Sequence, residues 1–216
     1  MIYPSKNFGE RRGGLRPSFV VLHYTAMESC QAAFDRLCDP DYEVSAHYLI
    51  SEGGEVSALV PEEMRAWHAG AGSWRGLSDM NSRSVGIEMA NRGNEPFPEP
   101  MMAALERLLP QIMARWGIGP SAVIAHSDMA PGRKIDPGTR FDWRRLALQG
   151  LSIWPEAWSP ADPSGFDADA IAFGYPEEVT PELRLEAFRL RFRPWGQGPV
   201  DAEDAGRIKA LLALGA

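Results

Sequence analysis

The stretch FVVLHYTA, residues 19–26, begins with four apolar side chains, and this apolar run ends at the polar His23. An apolar run without polar alternation is typical of a strand that is buried on both faces, as in a parallel sheet. A side chain at the end of such a strand points into the cleft that the strand ends line. The sequence therefore predicts a buried strand that presents His23 at its carboxyl end.

Apolar runs and helical patterns alternate through the first 154 residues. Further strands are predicted, the first two of them as a hairpin around a Gly53-Gly54 turn, at residues 47–50, 55–60, 84–89 and 122–125. Between the last two, residues 100–116 repeat apolar side chains at helical spacing and stop at Gly117. This alternation predicts an α/β fold with a central mixed β-sheet flanked by helices over residues 1–154.

The remaining residues, 155–216, predict a linker and a small three-helix module. Residues 154–165 hold three prolines and little periodicity, as a linker does. Three helical patterns follow, at residues 167–174, 181–193 and 201–214. Thr180-Pro181 and Asp201 are typical helix starts for the second and third. Leu185, Phe188 and Phe192 share a face, as do Ala205, Ile208, Leu211 and Leu212.

Composition excludes several classes of function. The net charge of −7 argues against a nucleic-acid partner, because phosphate binding depends on clustered Lys and Arg. No stretch approaches the roughly 18 apolar residues of a transmembrane segment, and the first residues lack a signal-peptide run. We therefore expect a cytoplasmic protein, with the cell envelope as the alternative. Cys30 and Cys38 lie about 12 Å apart on a predicted helix, so free thiols are expected.

A second informative stretch, residues 125–138, places His126 at the end of a strand and Asp136 on a loop stiffened by proline and glycine. A single histidine at a strand end is more often a packed, hydrogen-bonded residue. Two imidazoles and a carboxylate, however, leave one coordination position for water, as zinc hydrolases require to polarise a carbonyl. The pattern therefore indicates hydrolysis of an amide or ester.

Five segments occur in a characteristic order: VVLHYTA (20–26), VSAHYLISEGGEV (44–56), AWHAGAGSWRG (66–76), SVGIEMAN (84–91) and AHSDMAPGRKIDPG (125–138). Over about residues 15–148 they resemble the successive motifs of the AmpD/AmiD-type N-acetylmuramoyl-L-alanine amidases. That family is related to phage lysozyme-type amidases and peptidoglycan recognition proteins. The resemblance implies a mixed sheet flanked by helices, one catalytic zinc, and cleavage between N-acetylmuramic acid and L-alanine in peptidoglycan or muropeptides.

The resemblance also implies roles for individual residues. It places the zinc ligands at His23, His126 and Asp136. It makes Glu88 the general base, where the alternative is a surface glutamate at a strand end. It makes Lys134 the cation that stabilises the oxyanion, where the alternative is a solvated loop lysine. No ligand is missing, whereas recognition proteins that only bind peptidoglycan commonly lack one, so an enzyme is favoured.

Five further residues are candidates for the substrate cleft. His68 lies in the segment AWHAG, which resembles the substrate-cleft segment of the family. It is expected either to contact the substrate or to be a packed histidine. His47 is expected mainly to support the site. Trp74 could offer an apolar face to sugar or peptide, although tryptophans are more often simply packed. Asn91 and Arg75 are candidate contacts to polar groups of the substrate.

The predicted tail resembles, less specifically, a peptidoglycan-binding module. The alternative is a helical cap that packs its apolar faces on the amidase. Arg189 stands where the module's pattern has glutamine. The sequence also leaves open a non-catalytic peptidoglycan-binding protein and a metal hydrolase of another amide. It does not decide between polymeric, soluble and 1,6-anhydro substrates, or define the oligomeric state.

Overall fold

A five-stranded mixed sheet lies at the centre of the molecule, which a computed structural model describes over residues 3–215. The strands are β1 (Phe8–Glu10), β2 (Phe19–Tyr24), β3 (Tyr48–Ile50), β4 (Val56–Ala58), β5 (Met64–Ala66), β6 (Ser84–Met89) and β7 (Val123–Ala125). The central sheet has the order β4-β3-β6-β2-β7, in which only the β3–β4 hairpin is antiparallel. The predicted α/β fold, with its hairpin, is confirmed.

Eight α-helices surround this sheet in the part of the chain that the structure describes. They are α1 (Cys30–Cys38), α2 (Met80–Arg83), α3 (Glu99–Trp116), α4 (His126–Met129), α5 (Trp143–Leu148), α6 (Phe166–Phe173), α7 (Pro181–Phe192) and α8 (Ala202–Ala213). The long helix α3 ends as predicted at Gly117, whose φ of 69° is the left-handed conformation that glycine adopts readily. Cys30 and Cys38 are free, at the two ends of α1.

Strand alternation decides which side chains reach the site. In β6, Val85, Ile87 and Met89 are buried in the core against α3. Because successive side chains point to opposite faces, Ser84, Gly86 and Glu88 lie on the other face. On that same face β2 carries Phe19, Val21 and His23. The second face is therefore apolar along β2 and β7 and polar at the carboxyl ends, where His23 and Glu88 stand.

The tail covers the apolar part of this second face. Phe166 and Phe173 of α6, Phe188 of α7 and Ile208 of α8 belong to the same hydrophobic cluster as Val21. The tail helices thus pack their apolar faces on the sheet, as the cap alternative describes. The division of the chain near residue 155 stays a prediction. Arg189 is nearly buried and donates to Asp204 and to two loop carbonyls, so it ties the tail together internally.

A buried ion pair also joins the tail to the segment that follows β7. Asp128 of α4 and Arg191 of α7 pair with almost no exposure to solvent. The hydroxyl of Tyr175 donates to the second Asp128 oxygen at 3.0 Å. Arg191 donates further to the Val123 carbonyl and to Ser152 Oγ, at 3.0 and 3.1 Å. This network fixes the tail directly behind α4.

Five of the strands and helices named above were not predicted. The strands β1 and β5 pair into a separate two-stranded antiparallel sheet, and the other three are the short helices α2, α4 and α5. Each is short, and three-residue strands are too brief to show an alternation of apolar and polar side chains. None of the helices in the described part of the chain is long and apolar enough to cross a membrane.

Candidate active site

Three parallel strands end side by side and deliver the candidate catalytic side chains to one edge of the sheet. His23 of β2 and Glu88 of β6 are register partners, so their side chains leave the sheet on the same face. His126 directly follows β7, the strand on the other side of β2. Asp136 reaches the same point from the loop after α4.

His23, His126 and Asp136 converge on one point. The Nδ1 atoms of the two histidines lie 2.9 Å apart, and they lie 2.9 and 3.0 Å from Asp136 Oδ2. All three residues are buried. Within residues 3–215 this is the one trio of histidine, cysteine or carboxylate side chains whose donor atoms are close enough to share a metal ion.

The donor atoms fit a metal such as zinc. Nitrogen and oxygen ligands of a tetrahedral zinc lie about 2.0–2.1 Å from the ion and hence about 3.3 Å from one another. Nε2 of His126 lies 2.9 Å from the Ala69 carbonyl oxygen, which only accepts hydrogen bonds, so Nε2 carries the proton. In that tautomer Nδ1 of His126 bears a lone pair that faces His23 and Asp136, as a metal ligand requires.

Burial and the neighbouring groups set the protonation of this trio. Burial, reinforced by His126, lowers the pKa of His23 to about 4, and the Asp136 carboxylate opposes this only partly. The site therefore offers a neutral His23 at neutral pH.

Glu88 stands beside the trio in an unsatisfied state. Its Oε2 atom is buried and has no hydrogen-bond partner among the residues described. Burial raises the pKa of Glu88 to about 8, the Asp136 carboxylate adds to the rise, and the Lys134 ammonium opposes it. A carboxyl group whose pKa lies close to neutrality is suited to receive and return a proton.

A cleft of about 960 Å³ opens over these groups. Glu88, Lys134 and the trio line it, together with His68 and Arg133. Farther along, α1 and the loop before β3 contribute apolar side chains with a charged residue, Arg36, among them. A cleft of this size accommodates a ligand of several sugar or amino-acid units.

Comparisons with known proteins agree with this geometry. The model of the family described as N-acetylmuramoyl-L-alanine amidase matches residues 13–139. The chain therefore belongs to the N-acetylmuramoyl-L-alanine amidase family. It is an amidase that hydrolyses the bond between N-acetylmuramic acid and L-alanine.

Two relatives of the amidase match nearly the whole chain. Escherichia coli (strain K12) AmiD is 36% identical over 91% of this chain and 83% of its own length. A structure of that protein with anhydro-N-acetylmuramic acid-L-Ala-D-gamma-Glu-L-Lys matches with a TM-score of 0.83 and 33% identity, covering 97% and 98% of the two chains. Pseudomonas aeruginosa AmpDh3 with an anhydromuramic pentapeptide matches at 0.77 and 29%, covering 99% and 96%.

Two predicted residues of the amidase support the site from behind. His68 lines the cleft and its Nδ1 lies 3.0 Å from Nε2 of His23, while its contact with the substrate stays a prediction. His47 is completely buried and accepts a hydrogen bond from the Gly86 amide at 2.9 Å. Its other nitrogen faces the Met64 carbonyl at 3.1 Å. His47 thus holds the start of the hairpin against β6, in the supporting position that was expected.

Three predicted substrate contacts lie elsewhere. Trp74 is fully buried and packs edge-on against Phe173 and Tyr175, so the prediction that its face meets the substrate is wrong. Arg75 packs along the tail, where its amide donates to the Gly174 carbonyl, and it lies outside the cleft. Asn91 is 2% exposed; its side chain accepts from the Gly93 amide and donates to nearby carbonyls, so it shapes the loop after β6 instead.

Sequence reasoning missed Arg133, although it lies next to Lys134. The Arg133 guanidinium donates to the carbonyls of Ala69 and Ala71 and closes that segment over the trio. It also missed Asn81, Ser84 and Gly86, which hold His68. Gly86 carried a usable signal, because a glycine inside an apolar strand often marks the close approach of another group.

Proposed function

We propose that the amidase is a zinc enzyme in which His23, His126 and Asp136 hold the ion and Glu88 acts as the general base. The observation that carries the proposal is the convergence of three donor atoms, about 3 Å apart, beside a carboxylate oxygen that has no partner. A zinc ion held there would act as a Lewis acid, polarising the lactyl carbonyl and lowering the pKa of water.

Glu88 is proposed to take a proton from the attacking water and to return it to the departing amine of L-alanine. Its register pairing with His23 places the carboxylate on the face where the trio lies. Its Oε2 atom has no hydrogen-bond partner among the residues described. A zinc ion bound beside it would lower the pKa of Glu88 from about 8 toward neutrality, so that the ionised carboxylate accepts the proton and the protonated form returns it at low cost.

Lys134 is proposed to stabilise the negative charge that develops on the carbonyl oxygen. It lines the same cleft as Glu88 and His23, and its positive charge lowers the pKa of both. It is half-buried there, where a fixed positive charge is screened less than in open solvent.

We propose that muropeptides carrying 1,6-anhydro-N-acetylmuramic acid are substrates. In support, the two structural relatives, E. coli AmiD and P. aeruginosa AmpDh3, have each been solved with an anhydromuramic peptide. Both match this chain over nearly its whole length. Polymeric peptidoglycan is the alternative, and comparison of intact sacculi with a soluble anhydro-muropeptide separates the two.

The test is mass spectrometry of the products with zinc-loaded protein. Wild type should release the intact stem peptide from anhydro-muropeptide. Glu88→Gln should lower kcat by about 10²–10⁴-fold while zinc binding is retained. Glu28→Gln is the matched control, because Glu28 is an exposed carboxylate that lines the same cleft. Equal turnover by wild type and Glu88→Gln, or cleavage at a different bond, would exclude the proposal.

A further inference from the structure

We infer that the dipeptide His68-Ala69, held by Asn81, is a positioning device that fixes the ring orientation and the tautomer of both histidine ligands. The inference rests on the proposed metal site. Nε2 of His126 faces the Ala69 carbonyl, and Nε2 of His23 faces Nδ1 of His68, at 2.9 and 3.0 Å. The adjacent residues His68 and Ala69 thus each contact Nε2 of one histidine ligand, the ring nitrogen that faces away from the other ligands.

Donor and acceptor in the contact between His23 and His68 can be assigned by starting from Ser84, which contacts the far side of the His68 ring. Ser84 Oγ lies 2.5 Å from the Met80 carbonyl, which only accepts, so the single hydroxyl proton of Ser84 is used there. The contact of 3.3 Å between Ser84 Oγ and His68 Nε2 must then be donated by His68. Neutral His68 therefore carries its proton on Nε2 and presents a bare Nδ1 toward His23.

The same chain decides the state of His23. A bare Nδ1 on His68 can only accept a hydrogen bond, so Nε2 of His23 must carry the proton and donate it in this contact. Neutral His23 is then left with its lone pair on Nδ1, the atom that meets His126 and Asp136. His126 is fixed in the same tautomer by the Ala69 carbonyl. Both imidazoles are consequently held with their ligand nitrogens bare and facing one point, as metal ligation requires.

The dipeptide is itself held rigidly. Oδ1 of Asn81 accepts from the backbone amides of both His68 and Ala69, at 3.0 and 2.7 Å. The His68 ring lies flat against β6 at Gly86, where an added Cβ would stand only 2.4–2.6 Å from ring atoms. His68 is 9% exposed, so little of it is free to respond to a ligand in the cleft.

The first measurement is zinc affinity, by competition with a chromophoric chelator, for the full chain and three variants. His68→Leu removes the acceptor and should weaken zinc binding by about 10–100-fold. His68→Asn keeps an oxygen at the position of Nδ1 and should restore affinity to within about threefold of wild type. Gly86→Ala touches no ligand but displaces the ring, and it should weaken binding as His68→Leu does.

The second measurement is the tautomer of each ring, read from two-bond proton–nitrogen correlations of ¹⁵N-histidine protein without metal. His23 and His126 should both be Nε2-protonated in wild type, and His23 should become a mixture in His68→Leu. Thermal melting of the metal-free variants checks that each is folded, and the His68→Asn result separates a lost hydrogen bond from general damage.

Each outcome is decisive. Unchanged zinc affinity in His68→Leu, or an Nδ1-protonated His23 in wild type, would overturn the inference while leaving the metal site intact. A wild-type protein that binds no zinc would instead contradict the proposed function. The tautomers of the metal-free protein would still test whether His68 and Ala69 fix the two imidazoles. Loss of affinity that His68→Asn does not restore would also count against it.

Discussion

The short helix α4 carries two buried side chains, His126 and Asp128, that belong to clusters of opposite character. Around Asp128 each carboxylate oxygen has a donor: Tyr175 serves one, and Arg191 and the Ala125 amide serve the other. Around His126, the ligand atoms of His23, His126 and Asp136 face one another, and Oε2 of Glu88 has no hydrogen-bond partner within residues 3–215. A single residue, Ser127, separates the satisfied carboxylate of Asp128 from this unsatisfied cluster.

This difference indicates what each cluster is for. Buried polar groups are normally fully hydrogen-bonded, because an unmet donor or acceptor costs free energy in a medium of low polarity. The Asp128 carboxylate meets that rule and serves to hold the tail on the sheet, although Nε of its partner Arg191 has no acceptor among the residues described. The cluster around His126 departs from the rule at several atoms that face one cleft, as the proposed metal site requires.

The largest effect on stability is expected from Arg191→Ala. It leaves the Asp128 carboxylate buried without its charged partner and should lower the free energy of unfolding by about 3–5 kcal/mol. Urea unfolding of the metal-free protein measures this. A decrease in the free energy of unfolding below about 1 kcal/mol would mean that the pair of Asp128 and Arg191 does not hold the tail as described.

An opposite effect is expected from Glu88→Gln in the metal-free protein. The carboxyl group loses its proton near pH 8 when folded and near pH 4.5 when unfolded, so stability falls as pH rises through this interval. Removing the charge should stabilise the fold at pH 7 by about 2 kcal/mol, less than the full shift would give because Glu88 is partly exposed.

The pH series supplies the control for Glu88→Gln. The difference between variant and wild type should vanish below about pH 4.5, where the carboxyl group is protonated in both states. A difference that persists unchanged to acid pH would come from packing and not from charge. A variant that is less stable than wild type at pH 7 would contradict the unsatisfied state of Glu88.

The smallest effect is expected from Arg144→Ala. Arg144 pairs with Glu156 at the surface, where both side chains are about half exposed. Exposed ion pairs contribute about 0–1 kcal/mol, so unfolding should change little. This variant is the matched control for Arg191→Ala, since each removes an arginine from an ion pair. Equal losses in the two would show that burial does not set the difference.

Much of the fold and the centre of the site could be predicted from local pattern. Residues that are neighbours in sequence were enough to predict β2, which presents His23, and β7, which ends at Ala125. The spacing of apolar residues was enough to predict α3. The ordered motifs then brought together His23, His126 and Asp136, which lie far apart in sequence. The family match confirms the predicted activity.

The errors concern interactions between distant segments. Trp74 was offered to the substrate because it stands in a cleft motif, yet Phe173 and Tyr175 of the tail enclose it, and nothing near Trp74 in sequence signals this. The pairing of Asp128 with Arg191 spans 63 residues and shows in neither segment alone. Neither does the contact of Ser84 with His68, because it depends on which face of β6 each side chain takes.

The most direct test of the account is stoichiometric titration of the metal-free amidase with zinc, followed in the same samples by calorimetry and by release of stem peptide from anhydro-muropeptide. Both signals should rise together and saturate at about one zinc per chain, as a single site with three protein ligands requires. Asp136→Ala should lose both. Full turnover in thoroughly chelated protein, or saturation of zinc binding without any turnover, would contradict the assignment of the unsatisfied cluster as the catalytic metal site.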